Sequence, residues 1–302
     1  MKRISKHDIN AKLNDNHYSD KTTGIYQSWI MRFVKYHHLN HQNFEIKHIQ
    51  NYLAHLSHHN FKASTHNQAV NALVFFYQKM LGIKISKAFI SELRFNHKTN
   101  LPDILSKKQI ESIIYHLKGH YQLLVYLLYG CGLRSSEALN IQIKDLNLDD
   151  KQLHISDAKH QRVLPVPNKI ISSLKYQIDF VSKIYDKDSQ SKFFHNSGVE
   201  NCYLFPMKQL CNNESGKLIR TQIISNTLNY NIITASKKAK IACKVTAQTF
   251  RHSYAVHLLQ NQIDIKTVQK LLGHQYGSST LIYAHAVQKI SKNKVLSPLD
   301  ME

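Results

Sequence analysis

The sequence predicts a mainly α-helical protein of two domains with one small antiparallel β-hairpin, and three observations carry that expectation. Apolar residues recur at helical spacing on both sides of a polar, proline-ended segment, Arg94 to Pro102. Alternating apolar and polar residues are concentrated between Asp149 and Pro167. A chain of 302 residues, 42% of them hydrophobic, exceeds the common size of one domain and suffices for packed cores.

The first domain is expected over residues 14–96. Tyr26, Trp29, Ile30, Phe33 and Val34 form one apolar face, and Ile46, Ile49, Leu53 and Leu56 form the next. Thr65 and Gln68 have capping-box spacing, so a third helix is predicted to start there, carry Ala69, Val70, Leu73, Val74, Tyr77, Met80 and Leu81 inward, and stop at Gly82. The second domain is expected over residues 99–298. Ser106 and Gln109 repeat the capping-box spacing, Ile110, Ile113, Ile114 and Leu117 make the buried face, and Gly119 is read as the helix end. The alternation in QLHI and RVLPV around a polar SDAKHQ gives the hairpin, with Lys159 in its turn. Helices follow near 168–185, 221–240, 248–260 and 265–272, with a polar stretch at 186–216.

Forty Lys and Arg against twenty Asp and Glu give a net charge of +20, and a polyanion, nucleic acid first, is the simplest partner. The excess is spread along the chain, net +9 over residues 1–98 and +11 beyond, so both domains are expected to face it. A base composition that favours Lys, Asn and Ile codons would supply part of this without function. The four cysteines show no CxxC pair, which fits reduced thiols in a cytoplasm. The start MKRISKHDIN lacks an apolar signal core and no run approaches membrane-spanning length, so no export and no membrane are expected. His55, His58 and His59 share a helical face, but without a Cys or carboxylate among them no metal and no cofactor are predicted.

Metal-free phosphodiester cleavage requires cations on the non-bridging oxygens, an in-line nucleophile and an acid for the departing oxygen. Arg134, in YGCGLRSSEALN, is placed at a helix start by Gly130 and Gly132, where phosphate is favoured. Standing alone it would read as a surface arginine paired with Glu137. Arg251 lies early in an amphipathic helix with Phe250, Tyr254, Ala255 and Leu258 inward. His274 follows Gly273, the expected C-cap of the preceding helix, and Tyr283 is one of sixteen tyrosines.

The boxes GCGLRSSEALN, TFRHSYAVHLLQ and LLGH, with Tyr283 nine residues after His274, resemble the signature of tyrosine recombinases, the phage-integrase family. That resemblance implies a helical, SAM-like core-binding domain and a tyrosine recombinase catalytic domain. It also implies the roles: Arg134 and Arg251 clamp the phosphate, Glu137 orients Arg134, and His274 hydrogen-bonds the phosphate. Lys159 is the general acid, and Tyr283 attacks to form a 3′-phosphotyrosyl link. The family has a histidine three residues before its second arginine; here Gln248 stands there, able to donate a hydrogen bond but not to shuttle a proton. Lowered chemistry is therefore expected, and Gln248→His should raise the cleavage rate.

FVKYHHLNH, STHNQAVNALVFFYQKMLGI and the closing SPLD look most like integron integrases, which grip bases extruded from folded single-stranded sites. The segment that does so in that subgroup looks shortened here, with Phe193, Phe194 and His195 as stacking candidates. The implied partners are DNA, duplex or folded single strand, and a homotetramer on that DNA, with the tail after Ala286 docking on a neighbour. Two other readings stand beside this one: a degenerate integrase that only binds DNA, and a type IB topoisomerase.

Overall fold

The computed structural model describes residues 5–37, 44–59, 61–95, 101–156 and 161–292, and it divides into two compact units, Met1–Thr99 and Asn100–Glu302. The first unit is all helix: α1 Lys6–Asp15, α2 Asp20–Tyr36, α3 Ile46–His58, α4 Ala63–Phe75 and α5 Lys87–Glu92. Trp29, Ile30 and Phe33 of α2 meet Ile49, Leu53 and Leu56 of α3 and Ala69, Val70 and Leu73 of α4 in one core. The expected apolar faces are therefore the buried ones, except at Ile46, which is 38% exposed. α1 lies ahead of the boundary expected at residue 14. Only Ile9 and Leu13 mark its inner face, fully buried, and Ser5 and Asp8 form its capping box.

The start of α4 differs from the expectation. It begins at Ala63 after Lys62, so Thr65 lies inside the helix and caps nothing. Gln68 instead accepts a hydrogen bond from Trp29 Nε1 at 3.2 Å, a tertiary bond that outranks the local signal. At its far end α4 widens into a π turn, Phe76–Met80, closed by Leu81 N–H donating to Phe76 O. The inserted residue turns both Phe76 and Tyr77 into the core, and Gly82, at φ 71°, ends the element as expected.

The second unit holds α6 Lys107–His116, α7 His120–Gly130, α8 Ser135–Asn140, β1 Leu146–Asn147, β2 Gln152–Ile155, β3 Arg162–Pro165 and α9 Ile171–Ser189. There follow β4 Cys211–Asn212, β5 Leu218–Ile219, α10 Ser225–Lys238, α11 Ala247–Gln260, α12 Ile265–Leu272 and α13 Ser278–Lys292. α7 is the central helix. Leu123, Leu124, Val125, Leu127 and Leu128 are all buried, and α11 packs along it, tied by Tyr129 Oη to His257 Nδ1 at 2.8 Å.

The Ser106–Gln109 box forms as read, Gln109 N–H donating to Ser106 Oγ at 3.3 Å and Ser106 N–H to Gln109 Oε1 at 2.8 Å. α6 nonetheless stops at His116, and Gly119 is the N-cap of α7, with φ 55°. A glycine between two helices serves either end, and sequence does not choose. The hairpin pairs Leu153 with Leu164 and Ile155 with Arg162, and β1 adds a third antiparallel strand. Replacing Ser106 by Ala removes the cap oxygen, and chemical denaturation should show a loss of about 1 kcal/mol; an unchanged midpoint would refute this role for the cap.

Candidate active site

The carboxylate of Glu137, on α8 and only 4% exposed, lies at the centre of the site. Its Oε1 accepts from Arg134 Nη1 at 2.7 Å and from Arg162 Nη1 at 3.0 Å. Its Oε2 accepts from Arg134 N–H at 2.7 Å and from Arg162 Nη2 at 2.9 Å, with Arg251 Nη1 a further 3.6 Å away. Burial pushes this carboxyl up. The bonds from Arg162 and from the Arg134 backbone outweigh that and hold it down at about 2.

The same three arginines are fastened at their other sides to the end of α12. Leu271 O accepts from Arg162 Nε at 2.8 Å, Leu272 O from Arg251 Nη2 at 2.6 Å and Gly273 O from Arg134 Nη2 at 3.1 Å. The last carbonyls of a helix have no partner within it and carry its negative pole, so three successive guanidiniums satisfy three successive orphans. Gly273 closes α12 in the left-handed conformation expected of it. A β-carbon there would come within 2.9 Å of Arg162 Nη1.

Arg251 is 1% exposed, an unusual burial for a guanidinium, and its remaining bond goes to Gly132 O at 2.7 Å. Gly132 has φ 63° and its Cα faces the Tyr254 ring, where a β-carbon would meet ring carbons at 2.3 Å. Burial and then the neighbouring Arg134 charge bring Arg251 down to about 10, still charged at neutral pH. Arg134, its side chain 30% exposed, is the arm nearer solvent. Among the described residues, three guanidiniums around one carboxylate leave positive charge in excess, the electrostatics of an anion site.

Tyr283, on α13, is 2% exposed and its hydroxyl lies 2.8 Å from His252 Nδ1. His274 stacks beside the Tyr283 ring, centroids 6.2 Å apart at 14°, with Nδ1 2.9 Å from the buried Thr280 Oγ1. Burial raises the phenol, and Arg251 and Arg134 pull it back. Burial, then Arg251, depress His252 to about 4; burial, then Arg251 and Arg134, do the same to His274. Both imidazoles are therefore neutral near neutral pH.

Arg134, Glu137, Arg251, His274 and Tyr283, drawn from three helices and the end of a fourth, thus come together. Gln248 sits in the first turn of α11 and is exposed. Lys159 lies outside the described residues, as does most of the hairpin turn. Of the three stacking candidates, Phe193 is 72% exposed and His195 is exposed too, while Phe194 leans on Tyr185 at 5.8 Å. Tyr283 is part of a 15-residue helix, and Thr280, near its start, meets His274. The sequence reading passed over Arg162, His252 and Thr280. Arg162 left a signal: it shares a strand face with buried Leu164, and a charge on the inward face of a strand must find a partner. His252 and Thr280 left none: His252 gains a role only where α13 approaches α11, and Thr280 only where the start of α13 meets His274.

The Phage integrase family profile matches residues 103–289, and that of the phage integrase N-terminal SAM-like domain matches residues 7–87. An "Integrase/recombinase" of Escherichia coli is 30% identical over 94% of this chain and 89% of its own length. "Tyrosine recombinase XerD" of Staphylococcus aureus is 24% identical over 92% and 90%. Among solved structures, XerH site-specific recombinase bound to palindromic difH substrate, in a post-cleavage complex, shares the fold at 17% identity, covering 96% of this chain and 83% of that one, TM-score 0.68. The chain belongs to the phage integrase family, the tyrosine recombinases.

A depressed carboxyl contributes stability above its ordinary pKa of 4.5 and loses it as pH falls through about 2. Glu137→Gln should therefore cost roughly 3 kcal/mol near neutral pH in chemical denaturation. The gap to wild type should narrow as the solution is acidified from about pH 5 toward 2. A gap independent of pH would contradict the charge-based account.

Proposed function

We propose that this chain is a site-specific DNA recombinase that cuts and rejoins DNA through a 3′-phosphotyrosyl link on Tyr283. The observation that carries the reading is the convergence of Arg134, Arg251 and His274 on Tyr283 around an electropositive centre. A guanidinium has five N–H donors, and the two described carbonyl bonds of Arg251 leave others for a phosphate oxygen. Arg134 offers its more exposed face to the second oxygen. The arginines would stabilise both the phenolate and the charge that builds on phosphorus.

The departing 5′ oxygen takes its proton from Lys159, whose place between β2 and β3 supports that role in the sequence alone. The phosphodiester energy is kept in the tyrosyl bond, so rejoining needs no nucleotide hydrolysis. The finer reading is an integron-integrase-like enzyme working as a tetramer on duplex or folded single-stranded DNA in a cytoplasm. FVKYHHLNH, the α4 sequence and SPLD support the subgroup, and exposed Phe193 is the candidate for stacking on an unpaired base.

The test begins by letting the full chain select its site from random-sequence duplex and single-stranded pools. That site is then rebuilt as a nicked suicide substrate. Wild type should trap a covalent complex, and Tyr283→Phe should trap none. Binding without trapping would instead indicate a degenerate integrase, and relaxation of any supercoiled plasmid without a site would indicate a topoisomerase.

A further inference from the structure

We propose that His252 is the base that takes the phenolic proton from Tyr283, in place of the histidine that Gln248 replaces. The inference rests on the recombinase reading above and adds a catalytic residue to it. Its ground is geometric: among the described residues the Tyr283 hydroxyl is hydrogen-bonded with His252, Oη and Nδ1 2.8 Å apart. A phenol is the stronger donor and an imidazole nitrogen the stronger acceptor, so Oη–H donates to Nδ1 and the ring carries its own proton on Nε2. The other nearby imidazole is turned elsewhere, since His274 Nδ1 is engaged with Thr280 and its ring lies nearly parallel to that of Tyr283.

The placement on α11 explains how one residue can stand in for another. Gln248, Arg251 and His252 occupy positions i, i+3 and i+4, one face of one helix. A base at 252 is one turn further along that face than a base at 248, and directly beside the arginine that would hold the phosphate. Gln248 is exposed and cannot accept a proton onto its amide at physiological pH, whereas His252 is half-buried and already in contact with the nucleophile.

The charged groups around His252 set when it can act. Arg251 lies on its own helix, Tyr283 on α13 and His274 beyond α12, with Arg134, Arg162 and Glu137 in the layer behind Arg251. With burial, the arginine keeps the ring neutral and ready to accept. A bound phosphodiester adds a negative charge beside Arg251 and makes the imidazolium more favourable at the moment the proton arrives. In cleavage the Oη–P bond forms as the P–O5′ bond breaks. The phenolic proton passes to His252 Nδ1, and the departing oxygen takes a different proton, from Lys159. In rejoining, the imidazolium returns its proton to the departing phenolate while the 5′ hydroxyl loses its own to Lys159.

Two measurements on the full chain test this. Side-chain 15N spectra at neutral pH, with the His252 signals assigned by their loss in His252→Gln, should show a neutral ring protonated on Nε2; a proton on Nδ1 would overturn the assignment. On the selected suicide substrate, His252→Gln should bind DNA as wild type does and form the covalent complex roughly 10²- to 10⁴-fold more slowly. A bridging 5′ sulfur, which leaves without an acid, should restore Lys159→Ala but not His252→Gln. The acid limb of the wild-type pH–rate profile should disappear in His252→Gln. If wild type traps a complex while His252→Gln is as fast, or is restored by sulfur, the base assignment fails and the recombinase reading stands. If wild type forms no Tyr283-dependent complex, both fall.

Discussion

Everything at this site depends on how one buried carboxylate holds three guanidiniums. Glu137 alone does not neutralise Arg134, Arg162 and Arg251, and three like charges at hydrogen-bonding range would separate in water. The carbonyls of Leu271, Leu272 and Gly273 supply the balance, each accepting from a different arginine. The arrangement leaves positive charge unspent at a fixed place, which is the pre-organisation that phosphoryl transfer requires.

Several features that look unrelated follow from that constraint. α12 must end where it does, because a further helical turn would occupy the three carbonyls internally. The left-handed Gly273 ends it, and it then places His274 against Thr280 and Tyr283. Gly132 must lack a side chain, because its carbonyl reaches Arg251 only while its Cα lies against the Tyr254 ring. β3 delivers Arg162 to both Glu137 and Leu271, which ties the hairpin to α12. The strand that follows Lys159 in the chain is thereby fixed to the arginine cluster.

The helical periodicity in both units was legible, and so were the paired strands, the box at Ser106 and the break at Gly130–Gly132. These are local patterns whose physics acts within a few residues. What was misread was local too, but undecided locally. Thr65 and Gln68 had the spacing of a cap, and Trp29 claimed Gln68 for the core. Gly119 could close one helix or open the next. Arg134, Arg251, His274 and Tyr283 were found through motif order, which named them without showing that Arg251 would be almost wholly buried.

By itself, the sequence determined the mainly helical architecture with its small sheet, the basic character of both halves and the membership signature. Each is written in residue type and spacing along the chain. Only the tertiary structure decided what surrounds each charged group. Glu137 gathers partners from 25 and 114 positions downstream, Arg162 and Arg251, besides Arg134 in its own turn. His252 meets Tyr283 only because α13 folds back on α11. Proton affinities and the availability of a nucleophile depend on burial and on neighbouring charge, and neither exists until the chain has folded.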